Sequence, residues 1–181
     1  MGLGQEISEI LGSRLSYQGR KFSFVVEKLR LPKGTQAEFE YIRHPGGALC
    51  VPVTNDGKLI LLRQYRFSVQ DRLLEFPAGT VEEDEKPEDT IRREIEEETG
   101  YRAHQWQKLG EFSLAPGYSS EIIYAFLAKD LELLEKPPEQ DVDEDIEVVT
   151  MSAEELKAAI LAGEPVDSKS ISSFFLAQDF L

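Results

Sequence analysis

Cysteine is nearly absent from this 181-residue chain: Cys50 is the single one. No internal disulfide can form, and no thiolate zinc cluster can be assembled. Cys50 sits in the apolar stretch ALCVPV, which predicts a buried, inert thiol. Positive charge is also scarce. Twenty Lys and Arg stand against 34 Asp and Glu, a net charge of −14. Such a surface repels nucleic-acid phosphates, so no nucleic-acid partner is expected. A small phosphate compound stays admissible, because bound metal ions reverse the local sign. No apolar run approaches the length of a membrane span. The opening MGLGQEISEILG lacks the basic-then-apolar pattern of a secretion signal, and Glu6 occupies the place where a myristoylation signal needs Ser or Thr. The expectation is a cytoplasmic protein with no membrane partner.

What is present reads as an ordinary globular composition, 41% hydrophobic and 30% charged, enough to bury a core. Residues from about Leu15 to Ile42 alternate as strands. KFSFVVEKLRL puts Phe22, Phe24 and Val26 on one side, LPKG is a turn, and AEFEYI alternates again. This hairpin-like unit could bury only one face alone, so it needs the rest of the chain or a second subunit. HPGG (His44–Gly47) marks a boundary, giving an N-terminal strand-rich dimerisation region over 1–43 and a main domain over 44–181. ALCVPV and KLILLRQY follow as two strands, with Asn55-Asp56-Gly57 between them predicting a hairpin. LLEFPAG is a short strand, and KPEDTIRREIEEETG is a helix with Pro87 in its first turn and Gly100 as its stop. Two more strands, the strand IEVVTM, a helix with a Ser152–Glu155 capping box and a final helix over SISSFFLAQDF complete the pattern. Strands and helices mix without regular alternation, which predicts an α+β fold.

The stretch REIEEETG crowds five glutamates into eight residues. Like charges one turn apart repel. On a helical wheel Ile91 and Ile95 share the core face, and Glu94, Glu97 and Glu98 cover the adjoining arc. Arg92 and Glu96 point toward water, and Arg93 lies one turn before Glu97. Ionised carboxylates at the margin of a core are costly without a cation. Mg²⁺ and similar hard ions take oxygen ligands and relieve that cost. A solvated acidic helix is the plainer reading of the glutamates alone.

The flanking residues decide between these. Gly79, Glu85, Arg93-Glu94, Ile95, Glu97-Glu98, Gly100 and Tyr101 fit G-x5-E-x7-R-E-U-x-E-E-x-G-U, with U a bulky apolar residue. This resembles the box of the Nudix hydrolase family. Tyr101 stands where Ile, Leu or Val is more usual. The resemblance implies an α/β/α sandwich with a mixed sheet, here with an N-terminal antiparallel strand unit added, and metal-dependent hydrolysis of a nucleoside diphosphate linked to another group. It implies Glu94 and Glu98 as metal ligands, and Glu97 as a ligand or water-positioning group. Glu85 would orient the loop, Arg93 would tie the carboxylates, and the Ala78 carbonyl would be a further ligand. The ion would be Mg²⁺, with Mn²⁺ as the alternative.

YQGRKFSF, HPGGALCVPV, LLRQYRF, LEFPAG and SLAPGYSSE extend the resemblance to the ADP-ribose pyrophosphatase branch. That branch carries a proline about fifteen residues past the box, where Pro116-Gly117 stands, although Pro-Gly is also an ordinary turn. DVDED (Asp141–Asp145) matches its acidic loop and makes Glu144 the expected base, with Asp143 and Glu139 as rivals. Arg66 is expected on a substrate phosphate, Glu75 on substrate hydroxyls or behind the ligands, and Phe22 on adenine in the dimer, unless Phe22 is a core aromatic. Arg43 and Glu40 are candidates to reach a neighbour's site. The implied protein is a homodimer acting on a small nucleoside diphosphate derivative, with ADP-ribose leading. GDP-mannose or another nucleotide sugar is the enzymatic alternative, and a non-catalytic ADP-ribose-sensing module is the alternative of another class.

Overall fold

The computed structural model describes residues 6–139 and 144–181. Two compact units are distinguished: the chain up to Pro45 together with Ala115–Glu121, and Gly46–Leu114 together with Ile122–Leu181.

The first unit is a three-stranded antiparallel meander of β1 (Glu9–Gln18), β2 (Ser23–Arg30) and β3 (Gln36–Arg43), with β2 in the middle. The strand region therefore starts at Glu9, ahead of the expected Leu15, and is a meander rather than a hairpin. Val25, Val26 and Glu27 are buried in succession, so the expected single apolar face of β2 gives way to burial on both faces at mid-strand. The edge strand β1 leaves Ile10, Leu15 and Tyr17 exposed. Ala115–Ser119 forms a tight turn, and its end runs beside β3 through Ile42 N–H to the Tyr118 carbonyl at 2.8 Å and Ser120 N–H to the Ile42 carbonyl at 2.9 Å.

The second unit is built around β4 (Gly47–Pro52), which is buried at every position. A strand buried on both faces reads as a continuous apolar run rather than an alternating one. Its residues nonetheless alternate in where they go. Ala48 and Cys50 join the cluster of Ile91, Ile95 and Phe126, and Leu49 and Val51 join that of Leu61, Phe76, Leu127 and Phe174. Strand β4 also overturns the expected hairpin with β5 (Leu59–Arg66). The turn forms, with Gly57 at φ 80°, but pairing of its arms stops at the Thr54–Lys58 bond and the Val53–Leu59 bridge. A fully buried central strand needs a partner on each edge, and β4 finds them elsewhere. Strand β5 pairs with β6 (Asp71–Glu75) on one side and β10 (Ile146–Met151) on the other. Strand β4 lies between β7 (Ala78–Thr80) and β9 (Ile122–Leu133), parallel to the latter, and β8 (Tyr101–Ser113) pairs antiparallel with β9.

Three helices cover these sheets. Helix α1 (Pro87–Thr99) buries Ile91 and Ile95 completely against one face of the mixed sheet. Each buried side chain of that size contributes about 1.5–3 kcal/mol. Helix α2 (Ala153–Ala162) has the expected capping box, Ser152 with Glu155. Helix α3 (Ser168–Ala177) places Phe174 and Ala177 in the other cluster. It starts ahead of the expected Ser170, because the Asp167 side chain caps it by accepting from Ser170 N–H. The result is a mixed sheet with helices on both faces, an α+β sandwich. No helix among the described residues is long and apolar enough to cross a membrane.

Candidate active site

The acidic helix face is held against the start of β7. Glu98, one position beyond the wheel's core face, is 2% exposed, and its Oε2 accepts Ala78 N–H at 3.0 Å. Strand β7 is an edge of the mixed sheet. Pro77 turns its carbonyl inward to Cys50 N–H at 3.1 Å, so Ala78 points outward. In a strand a residue's N–H and C=O leave on the same edge, which puts the Ala78 carbonyl on the carboxylate side. Gly79 explains why the box begins with glycine. A Cβ there would lie 2.0 Å from Glu94 Oε1 and 2.5 Å from its Cγ, so the Glu94 side chain occupies the space any other residue would fill.

The three consecutive glutamates go to three different places. Glu96 is forked by Arg102 at 2.6 and 2.9 Å, so it is tied down rather than simply hydrated. Glu97 Oε2 accepts from Arg93 Nη1 at 2.9 Å, the expected one-turn pair. Glu98 turns inward. The same Arg93 nitrogen reaches Glu94 Oε1 at 2.8 Å, and Nη2 reaches Glu85 Oε2 at 3.4 Å. Glu85 also accepts from Thr90 Oγ1 at 2.8 Å, fixing the loop that leads into α1. Arg92 pairs with Glu88 and stacks over Trp106.

One guanidinium thus serves three carboxylates, and the electrostatics show the deficit. Burial pushes the Glu98 carboxyl well above the usual carboxylate range, and the charges of Glu94 and Glu144 push it further. Glu94 is raised mainly by burial, with Glu97 and Glu144 adding to it against the pull of Arg93. Burial works against the Arg93 charge, but Glu94, Glu85 and Glu97 outweigh it and hold the guanidinium ionised. Glu144 therefore lies close enough to act on both Glu94 and Glu98. Its rival Asp143 lies outside the described residues, and Glu139 is exposed.

These residues fit a divalent cation. Oxygen donors gather on one face, at least one is deeply buried, and the site has more negative charge than its own cation balances. Among the described residues no three acidic, histidine or cysteine side chains already converge as a metal cage. Glu94 is turned onto Arg93, and a bound cation would compete with the guanidinium for it.

Beside this face lies a second charged cluster that the sequence reading only half identified. Arg66 donates through Nε and Nη2 to the two oxygens of Glu75, both at 2.7 Å. Glu75 is 1% exposed and also accepts from Lys169 Nζ at 2.5 Å. Its carboxylate is thus committed to cations, which suits support of the site more than contact with substrate hydroxyls. Sequence reasoning missed Lys169, Asp167 and Thr90. One signal was readable: a lysine in the first turn of a helix opposes the helix dipole.

The remaining candidates fall in the first unit. Phe22 is 45% exposed and tilted against His44, with ring centroids 6.1 Å apart. It is therefore not a core aromatic of that unit. Pro116 and Gly117 are in the tight turn after β8. Arg43 donates to Glu27 at 3.0 Å and Tyr41 donates to the same carboxylate at 2.7 Å, while Glu40 is exposed.

The sandwich and its acidic loop–helix define the class. The sequence profile of the NUDIX domain matches residues 43–174, and the chain belongs to the Nudix family. It is 37% identical over 154 residues to an ADP-ribose pyrophosphatase of Bacillus subtilis (strain 168), spanning 85% of this chain and 83% of that one. It is 34% identical over 155 residues to a methanol dehydrogenase activator of Bacillus methanolicus, spanning 86% and 84%. A crystal structure of an ADP compounds hydrolase superposes with a TM-score of 0.80 at 23% identity, covering 99% of this chain and 97% of that one, a likeness of fold.

Proposed function

We propose that this protein hydrolyses the pyrophosphate of ADP-ribose, taking up one water and giving AMP and ribose 5-phosphate. The observation that carries the reading is the charge imbalance at α1. Glu94, Glu97 and Glu98 line one edge, Glu98 is 2% exposed, and among the described residues Arg93 is the one cation paired with Glu85, Glu94 and Glu97. Residues arranged in this way, in a chain similar to an ADP-ribose pyrophosphatase, suit an anionic substrate brought in with divalent cations. A sensing module that only binds the nucleotide would not need every box glutamate.

Glu94, Glu98 and the Ala78 carbonyl would hold the ion, Mg²⁺ or Mn²⁺, with Glu97 as a ligand or as the group that orients water. When bound, a divalent ion neutralises the diphosphate and acidifies a coordinated water. The protein's own contribution is placement. Arg93 keeps Glu94 and Glu97 in register, and the Glu85–Thr90 bond fixes the loop. Glu144 accepts the proton of the attacking water. Arg66 meets a phosphate oxygen with its guanidinium edge, which suits bidentate recognition. In the homodimer we assign the adenine to Phe22, and Pro116-Gly117 stay in the substrate-binding set.

A homodimer completes the reading. The first unit exposes Ile10, Leu15 and Tyr17, an apolar set that a second copy would cover. Product analysis by ion-exchange chromatography tests the proposal. ADP-ribose, ADP-glucose, GDP-mannose and a dinucleoside polyphosphate would be compared with Mg²⁺, with Mn²⁺ and with chelator. ADP-ribose should give the highest kcat/KM and yield AMP with ribose 5-phosphate. Preference for GDP-mannose, or binding without turnover, would overturn the assignment.

A further inference from the structure

Lys169 occupies an unfavourable place. It is the second residue of α3, where unsatisfied backbone N–H groups already favour negative charge. Its side chain is only 13% exposed, and burial disfavours an ammonium. Asp167 and Glu75 outweigh that burial and keep it charged.

The contacts show what this arrangement fixes. Lys169 Nζ donates to the Asp167 carboxylate and to Glu75 Oε2 at 2.5 Å. The other Asp167 oxygen caps α3, accepting Ser170 N–H at 3.0 Å. Glu75 in turn receives the Arg66 fork. Backbone bonds lace the same segments together. Leu74 N–H donates to the Pro165 carbonyl at 2.8 Å, and Phe76 N–H donates to Ser170 Oγ at 2.8 Å. The start of α3 therefore grips Leu74–Phe76, the residues directly ahead of Pro77, Ala78 and Gly79.

We infer that Lys169 is a positioning residue, which locks the Glu75 carboxylate so that the Arg66 guanidinium is held in one orientation for the substrate's phosphate. A two-bond Arg–carboxylate fork alone still swings about the side-chain torsions of both partners. A third donor, anchored to a helix cap, removes that freedom before substrate arrives. This inference rests on the reading of Arg66 as a phosphate contact.

The test is a double-mutant cycle of K169M and R66A, with D167N as a milder variant that keeps the helix cap. In K169M the KM for ADP-ribose should rise about tenfold with kcat within about threefold, the pattern of lost uniform binding. In D167N KM should rise about threefold. In the R66A background K169M should add less than about twofold. Without substrate or metal, the Arg66 Nε–H resonance, assigned by its loss in R66A, should be sharp in wild type and broadened in K169M and D167N. A lower melting temperature with additive kinetic effects and an unchanged Arg66 resonance would overturn the inference and leave Lys169 as a packing residue. If R66A leaves KM unchanged, the phosphate reading of Arg66 falls, and the resonance still decides whether Lys169 positions it. If K169M does not fold, D167N carries both readouts.

Discussion

Replacing Gly79 with alanine separates the site from the fold. The new Cβ would lie 2.0 Å from Glu94 Oε1, 2.2 Å from Cδ and 2.5 Å from Cγ. Ordinary contact begins near 3.4 Å, so the Glu94 carboxylate must retreat by more than about 1 Å. Gly79 is not in the left-handed region, so alanine meets no backbone strain there. The obstructing atoms belong to the outer part of a flexible side chain, and rotating it away sacrifices mainly the 2.8 Å bond to Arg93. That bond is partly exposed and contributes about 1 kcal/mol or less. Thermal unfolding of G79A should therefore stay within a few degrees of wild type. Catalysis should not survive so well. A displacement of that size at a group that must meet the reacting centre costs on the order of 100-fold. Initial rates of ADP-ribose hydrolysis at saturating Mg²⁺ should fall at least that far. G79A with wild-type kcat would refute the reasoning, because Glu94 would then be dispensable where it now lies. G79A that fails to fold would refute it too.

Other consequences follow from the same geometry. Glu98 has its folded pKa raised by burial and by Glu94 and Glu144, so its contribution is fully present below the unfolded carboxylate value and is lost as pH rises through the folded one. In metal-free protein E98Q should therefore gain stability relative to wild type as pH climbs past the usual carboxylate range, and added Mg²⁺ should reverse the order; calorimetry at several pH values checks both signs. E144Q should lower kcat by 10²–10⁴-fold, the usual worth of a general base, while Mn²⁺ affinity stays near wild type by titration calorimetry. Ile95 is fully buried beneath the carboxylates, so I95A should cost about 2–5 kcal/mol in chemical denaturation. Analytical ultracentrifugation at micromolar concentration should give a dimer, and substitution of Ile10, Leu15 and Tyr17 by serine should give monomers.

The sequence was most legible where local chemistry decides the structure. Pro87 and Gly100 bound α1 as expected, with Gly100 at φ 75°, and the wheel put Ile91 and Ile95 inside. The Ser152–Glu155 box formed for the same reason, since both partners lie within one turn. Legibility failed where distant strands choose partners. A strong Asn-Asp-Gly turn predicted a β4–β5 hairpin, yet β4 is buried on both faces and pairs with β7 and β9 instead. Periodicity also misled at β2, because a central strand covered on both faces does not alternate. At the site, the box glutamates were readable from spacing. Lys169 was not, since it reaches Glu75 across 94 positions. No local pattern encodes such a contact, although a cation at the wrong end of a helix was a hint.

The proposed chemistry requires above all a divalent cation that meets the diphosphate at the junction of β7 and α1. Crystals grown with Mn²⁺ and a non-hydrolysable ADP-ribose analogue, measured at the manganese edge, test this directly. An anomalous peak should lie within bonding distance of Glu94, Glu98 and the Ala78 carbonyl, with the analogue's phosphates beside it. Phosphates bound with no peak there, or a peak away from all three, would contradict it.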